Sequence, residues 1–492
     1  MSVLIVGLPL LAAIVCMLVR KKLWLSVTSV SSSLLLVLMV GSLLLNVDPA
    51  VSPAVYPMSG WGAPLGIELS VDGLSLIMLF VTSLVVLLLS VYSTYYFNVS
   101  EQHIRFWPLW WFLIAGLNVA FIARDAFNIY VALEMIGLAA VALVAVAKKR
   151  AALVAALRYA MVGLVGSLCY LLGIALLYRL YGTLDLSMLA NLAEPSLSTS
   201  VALCLISLGL LLKTALFPFH FWLPPAHASA PAPVSAALSA LVVKASFYLL
   251  LRFWLEVLAP SVSAGAANVV GVLGACAIIW GSLCAYRATR LKLVVAYSTV
   301  AQLGYLFLVF PIALAGDPEL GFRSGAVAAV AYFVIAHALA KSAMFLAAGN
   351  ILASTGNDDI RQFSGFASRQ PIAVFTIAIA GISLIGLPPS GGFIAKWLLL
   401  TAAVESQQWW WLVVMLVGGL LTALYLFRIL GIAFEQNQPL AKGSNFLVLP
   451  KPMVFCGLAL ALLAIAGGFN AEWVIQLIDQ DMSSLHGMGV AS

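Results

Sequence analysis

Residues 213–244 read KTALFPFHFWLPPAHASAPAPVSAALSALVVK. A lysine stands at each end, with two histidines and five prolines between them, in a chain that is 64% hydrophobic and only 9% charged. A soluble surface needs roughly a quarter of its residues charged, so this composition excludes a soluble globular domain. Apolar runs long enough to span a bilayer, about 20 residues as a helix, recur from end to end. The stretch thus sets Lys213 and Lys244 inside apolar spans and breaks the helix between them.

Working outward, the 492 residues divide into about fourteen spans. The expectation is an all-α polytopic membrane protein forming a single transmembrane domain, 1–492, whose longest loop is 47–72. The apolar run of MSVLIVGLPLLAAIVCMLVRKK precedes its charges, so it reads as a first span and not as a cleaved signal. Of 24 Lys and Arg, the loops on one side hold sixteen, Lys292 among them, and the other side holds Arg124, Arg179, Arg252 and Arg323. The positive-inside rule then places both termini outside the cytoplasm. It also accounts for the net charge of +6 without invoking nucleic acid. A short exposed tail, 470–492, carries EWVIQLIDQDM, for which a short interfacial helix is expected. The six cysteines (Cys16, Cys169, Cys204, Cys276, Cys284, Cys456) lie in apolar segments without CxxC spacing and read as packing residues. No haem, flavin or iron–sulfur motif is present, so no cofactor is expected.

Four lysines remain, Lys213, Lys244, Lys341 and Lys396, all within spans, as is Glu134. A charge at the bilayer centre costs at least about 2.5–3.5 kcal/mol, so such residues face the protein interior and mark ion paths. In general, desolvation favours the neutral amine and a nearby carboxylate favours the ammonium, so a lysine whose partner moves can release and reload a proton. The five residues therefore read as a proton relay. His337 is four residues before Lys341 and shares its helix face. His220 and His227 are possible extensions, because imidazole titrates in the useful range. The alternative is structural: buried ion pairs that fix helix register, or snorkelling by Lys213 or Lys341.

The breaks point the same way. LFPFHFWLPP interrupts span seven, and SLIGLPPSGGFIAKW interrupts span twelve. Broken helices at membrane depth line cavities or pack in protein, and in transporters a pair of them marks the ion site. Their spacing of five spans suggests two inverted five-helix repeats, spans four to eight (about 107–255) and nine to thirteen (about 265–434).

Five stretches in order, FWPLWWFLIAGLNVAFIARDAFNIYVALEMIG, LKTALFPFHFWLPPAHASAPAPVSAALSALVVK, RLKLVVAYSTVAQLGY, HALAKSAMFLAAGN and ISLIGLPPSGGFIAKW, make the chain resemble a known family. It is the antiporter-like subunits shared by respiratory complex I, membrane-bound hydrogenases and Mrp-type cation/proton antiporters. The resemblance covers roughly residues 60–435. It implies that Glu134 pairs with Lys213, that Lys244 is central, that Lys341 with His337 connects the halves, and that Lys396 ends the path on its exit side. It also implies a hydrated axis through these groups. WGAPLGIELSVDGLSLIM looks most like the D-type component of Mrp antiporters, and FHFWLPPAHASAPAPVSA more like complex I and hydrogenase subunits, although Pro225 stands where those usually carry an acidic residue. The implied partners are other membrane subunits, protons, sodium as the exchanged cation, and the bilayer. The expected function is a proton-translocating subunit of a cation/proton antiporter; the alternative is the pumping arm of a redox complex.

Overall fold

The computed structural model describes residues 2–46, 53–58, 60–63, 66–97, 100–315, 322–435, 447–469 and 471–478. Among these, twelve helices are long and apolar enough to cross a membrane. Two shorter apolar helices, Ser2–Leu18 and Pro371–Ile385, stand where the first and twelfth spans were expected.

The N-terminal helices are α1 (Ser2–Leu18), α2 (Lys22–Asn46), α3 (Gly73–Tyr96), α4 (Ser100–Ile122), α5 (Ala126–Ala145) and α6 (Arg150–Tyr181). A two-stranded antiparallel hairpin, β1 (Ala54–Pro57) and β2 (Glu68–Val71), precedes α3. Next come α7 (Leu186–Leu192), α8 (Leu197–Thr214), α9 (Leu223–Ser229), α10 (Ala232–Ala237) and α11 (Val243–Arg252). The second half holds α12 (Ala264–Arg287), α13 (Leu291–Phe307), α14 (Val309–Ala313) and α15 (Phe322–Thr355). It closes with α16 (Phe366–Arg369), α17 (Pro371–Ile385), α18 (Gly391–Glu405), α19 (Trp409–Phe434) and α20 (Lys451–Ala466). Residues 472–478 are helical, as expected for the tail; 479–492 lie outside the described residues, as does Lys442.

Helix starts follow the sequence. Asp72 and Ser75 form a reciprocal capping box at α3, and Asp125, Ser196 and Ser390 cap α5, α8 and α18 through their side chains. The breaks also have local causes. Pro218 lacks the N–H that would continue α8, Ala215 adopts a left-handed conformation, and a 3₁₀ turn at Phe219–Trp222 leads to α9, whose Pro224 and Pro225 occupy its first turn. Between α17 and α18, Gly386 sits at φ +88, where a side chain would be strained and would also meet Lys396. A π-helical turn, Leu238–Val242, separates α10 from α11 immediately before Lys244.

Burial sorts the helices into an inner and an outer set. The span Ala232–Val257 is wholly buried, and Leu291–Ala313 and Gly325–Thr355 nearly so, whereas the span Lys22–Asn46 is only 28% buried. An apolar helix exposed in this way faces lipid. Charges at the span ends are tied down: Arg252 to Asp72 and Glu256, Arg124 to Asp185 and Glu68, Arg290 to Asp358.

Candidate functional site

The first of the candidate residues meet where α5, α6 and α8 come together. Gly209 and Gly166 let α8 and α6 touch backbone to backbone: a Cβ on Gly209 would lie 2.4 Å from the Gly166 carbonyl oxygen. That approach brings Ser167 to Glu134, whose carboxylate accepts the serine hydroxyl. Lys213, in the last turn of α8, places Nζ 3.5 Å from Glu134 Oε1. The pair is asymmetric, since Lys213 is 8% exposed and Glu134 30%. Lys213 therefore does not snorkel; the expected pair is present, at the open end of an otherwise buried series.

Lys244 is fully buried on α11 and donates to the Ser239 carbonyl within the π turn. The Ser239 hydroxyl lies 2.9 Å from Thr299 Oγ1 on α13. Thr299 donates to the Val295 carbonyl, which also accepts Lys341 Nζ at 3.1 Å, and Lys341 donates further to Ser298. Two hydroxyls and two main-chain carbonyls, those of Ser239 and Val295, therefore lie between Lys244 and Lys341, with Ser239 itself bridging its carbonyl and its hydroxyl. Helices α8 and α11 pack directly, but among the described residues no hydrogen bond joins Lys213 to Lys244.

Lys396 on α18 reaches back across its break. Nζ donates to the carbonyls of Leu384, at 2.8 Å, and Ile385, at 3.1 Å, which end α17, and it lies 4.5 Å from the Tyr305 ring centre. An ammonium on unsatisfied C-terminal carbonyls sits at the negative end of the half-helix dipole. Gln302, on α13, shares the Leu384 carbonyl and bonds Thr422. His337, Ser383, Gln302 and Lys396 line one cavity with about 10 Å³ open to a water's centre, about one molecule's worth. Both ring nitrogens of His337 are buried without a protein partner, and buried polar atoms of this kind normally bond to water.

The other histidines differ. His227 is fully buried, stacks on Phe345 with ring centres 4.8 Å apart, and has neither ring nitrogen bonded to protein. His220 stacks on Phe217 beside the break and makes no side-chain hydrogen bond to the lysines among the described residues.

Sequence reading missed two groups. Lys292 was assigned to a loop, yet it is buried and donates to the Ala230 carbonyl that ends α9. Its place at the start of a span made it look like a flanking charge. The polar stripe of α13, Ser298, Thr299, Gln302 and Tyr305, passed unremarked, although its helical spacing in an apolar span was a usable signal.

Residues 123–422 match the transmembrane family described as NADH:quinone oxidoreductase/Mrp antiporter. The chain is 36% identical over 397 residues to the N-type component of the NADH-quinone oxidoreductase of Desulforudis audaxviator, covering 79% of this chain and 76% of that protein. It is 26% identical over 483 residues to the D-type component of the Na(+)/H(+) antiporter of Bacillus subtilis, covering 97% and 95%. A solved archaeal respiratory membrane complex, the membrane-bound sulfane sulfur reductase, contains a chain with a TM-score of 0.88 and 27% identity, covering 98% of this chain and 97% of that one. With Lys213 and Lys396 beside its two helix breaks, the chain belongs to the NADH:quinone oxidoreductase/Mrp antiporter transmembrane family.

Proposed function

We propose that the chain is a proton-translocating membrane subunit in which Glu134, Lys213, Lys244, Lys341 and Lys396 pass protons along the membrane plane, with His337 and His227 as further stations. The observation that carries this reading is the series of buried lysines itself. Lys244, Lys341 and Lys396 each donate to main-chain carbonyls, and among the described residues none has a carboxylate partner. A scaffold that used ions to fix register would pair them. The membrane potential supplies about 2.3 kcal/mol per charge per 100 mV, enough to bias stations that differ by a few kcal/mol. His220, off the line of contacts, is not among these stations.

The same reading includes the two inverted repeats, about 107–255 and 265–434, each with one broken helix, and a topology with both termini outside the cytoplasm. The relatives are named as subunits, which supports a hetero-oligomeric assembly. Two couplings remain in view. Near full-length similarity to a sodium/proton antiporter component favours exchange of protons for a cation such as sodium. The higher identity to an NADH-quinone oxidoreductase component favours a redox-driven pump whose redox centres sit in partners. Purification in mild detergent with mass spectrometry of associated proteins separates them. Small membrane subunits alone support the antiporter; iron–sulfur or hydrogenase-like subunits support the redox pump.

The Ser239–Thr299 bridge gives its own test. Replacing Ser239 by Ala together with Thr299 by Val should slow proton translocation roughly five- to tenfold, the equivalent of about one hydrogen bond, without loss of assembly. An unchanged rate would show that protons bypass these hydroxyls. Lys396→Ala should stop translocation through the second half while leaving the Glu134–Lys213 contact intact, as read by dye quenching in vesicles; full activity would remove Lys396 from the path.

A further inference from the structure

A groove of about 430 Å³ opens on the outer face of α6, lined by Arg150, Arg158, Val154, Ala155, Pro225 and Ser229. Among the described residues neither arginine has a carboxylate partner. The two are eight residues apart, about 12 Å along the helix, and helical side chains lean toward the N-terminus, so Arg158 reaches back toward Arg150. Pro225 and Ser229, on the facing helix α9, add no charge to offset them.

A second feature adds to the positive potential. Helix α6 starts at Lys149 with no side-chain cap and no acidic residue in its first turn. Its N–H groups and dipole add positive charge where Lys148, Lys149 and Arg150 already supply it. Of these three, among the described residues, only Lys148 has an acidic partner, Glu101 at 2.6 Å. Below the groove the same helix presents Leu157, Met161, Leu164 and Leu168 outward. The cationic end is thus continuous with an apolar face about 16 Å long, roughly one leaflet deep.

We propose that this groove binds an anionic phospholipid, its phosphate held by Arg150 and Arg158 and its acyl chains lying along α6. A soluble anion would use only the cationic end. A lipid matches both the charge and the apolar wall. The site does not depend on the proton-path reading, since none of its residues belongs to that path.

Native mass spectrometry of the full chain in neutral detergent, titrated with phosphatidylglycerol or phosphatidylcholine, tests this. The anionic lipid should bind about tenfold more tightly. The preference should fall to within about twofold in Arg150→Gln/Arg158→Gln and persist in Arg20→Gln, an exposed arginine outside the groove lining. Should the double variant fail to fold, Arg158→Gln alone should weaken the preference roughly threefold. Equal binding of both lipids to the wild type overturns the proposal, as does a folded double variant that keeps the preference. Millimolar inorganic phosphate that erases the preference would reassign the groove to a free anion. Crosslinking of this face to acidic residues of another protein in the native assembly, with no lipid retained, would reassign it to a protein interface.

Discussion

Glu134→Gln and Lys213→Ala should each reduce proton translocation at least about 100-fold, the scale on which positioned proton donors and acceptors act. Both variants should still assemble. Glu134→Gln keeps side-chain volume and leaves an oxygen to accept the Ser167 hydroxyl. Lys213→Ala leaves the Glu134 carboxyl with its Ser167 hydroxyl partner and able to take up a proton. The measurement is pH-dye quenching in vesicles carrying the purified assembly, paired with thermal unfolding of each variant. Loss of transport with an unchanged melting temperature supports the relay. If transport persists in both, the 3.5 Å contact is structural. If unfolding and transport fail together, the ion pair fixes register, as buried pairs can.

The second large effect is on stability. Gly392→Ala would place a Cβ 1.7 Å from the Ser383 carbonyl oxygen, closer than any non-bonded contact permits. The neighbour is main chain, so no side chain can swing aside. The Gly392 N–H donates to Ser383 Oγ at 3.3 Å, and that contact joins the two half-helices of the second break. Relief must come from separating α17 and α18, which also draws Lys396 from the Leu384 and Ile385 carbonyls. Overpacking of this kind costs about 3 kcal/mol or more when backbone must move. The melting temperature and assembly yield of Gly392→Ala should therefore fall sharply. Gly7→Ala, with open space around its Cβ, should match the wild type. Equal melting temperatures for the two variants would show that the break tolerates separation.

Much was legible in the sequence alone. Low charge and repeated apolar runs determined a polytopic α-helical membrane protein, because lipid leaves few other ways to satisfy a backbone. Proline and glycine chemistry located both breaks, since those residues act locally. The cost of burying charge singled out Glu134 and the four lysines before any contact was known. Five ordered motifs identified the family.

Tertiary structure decided what depends on partners distant in the chain. The carbonyls that receive Lys341 and Lys396 come from Val295, Leu384 and Ile385, on other helices or across a break. Burial of Lys292 depends on α9 packing over the start of α13, which no flanking pattern reveals. The Ser239–Thr299 bridge joins residues 60 apart. Sequence spacing specifies which face of a helix a residue occupies, but only the packing of helices specifies what that face meets.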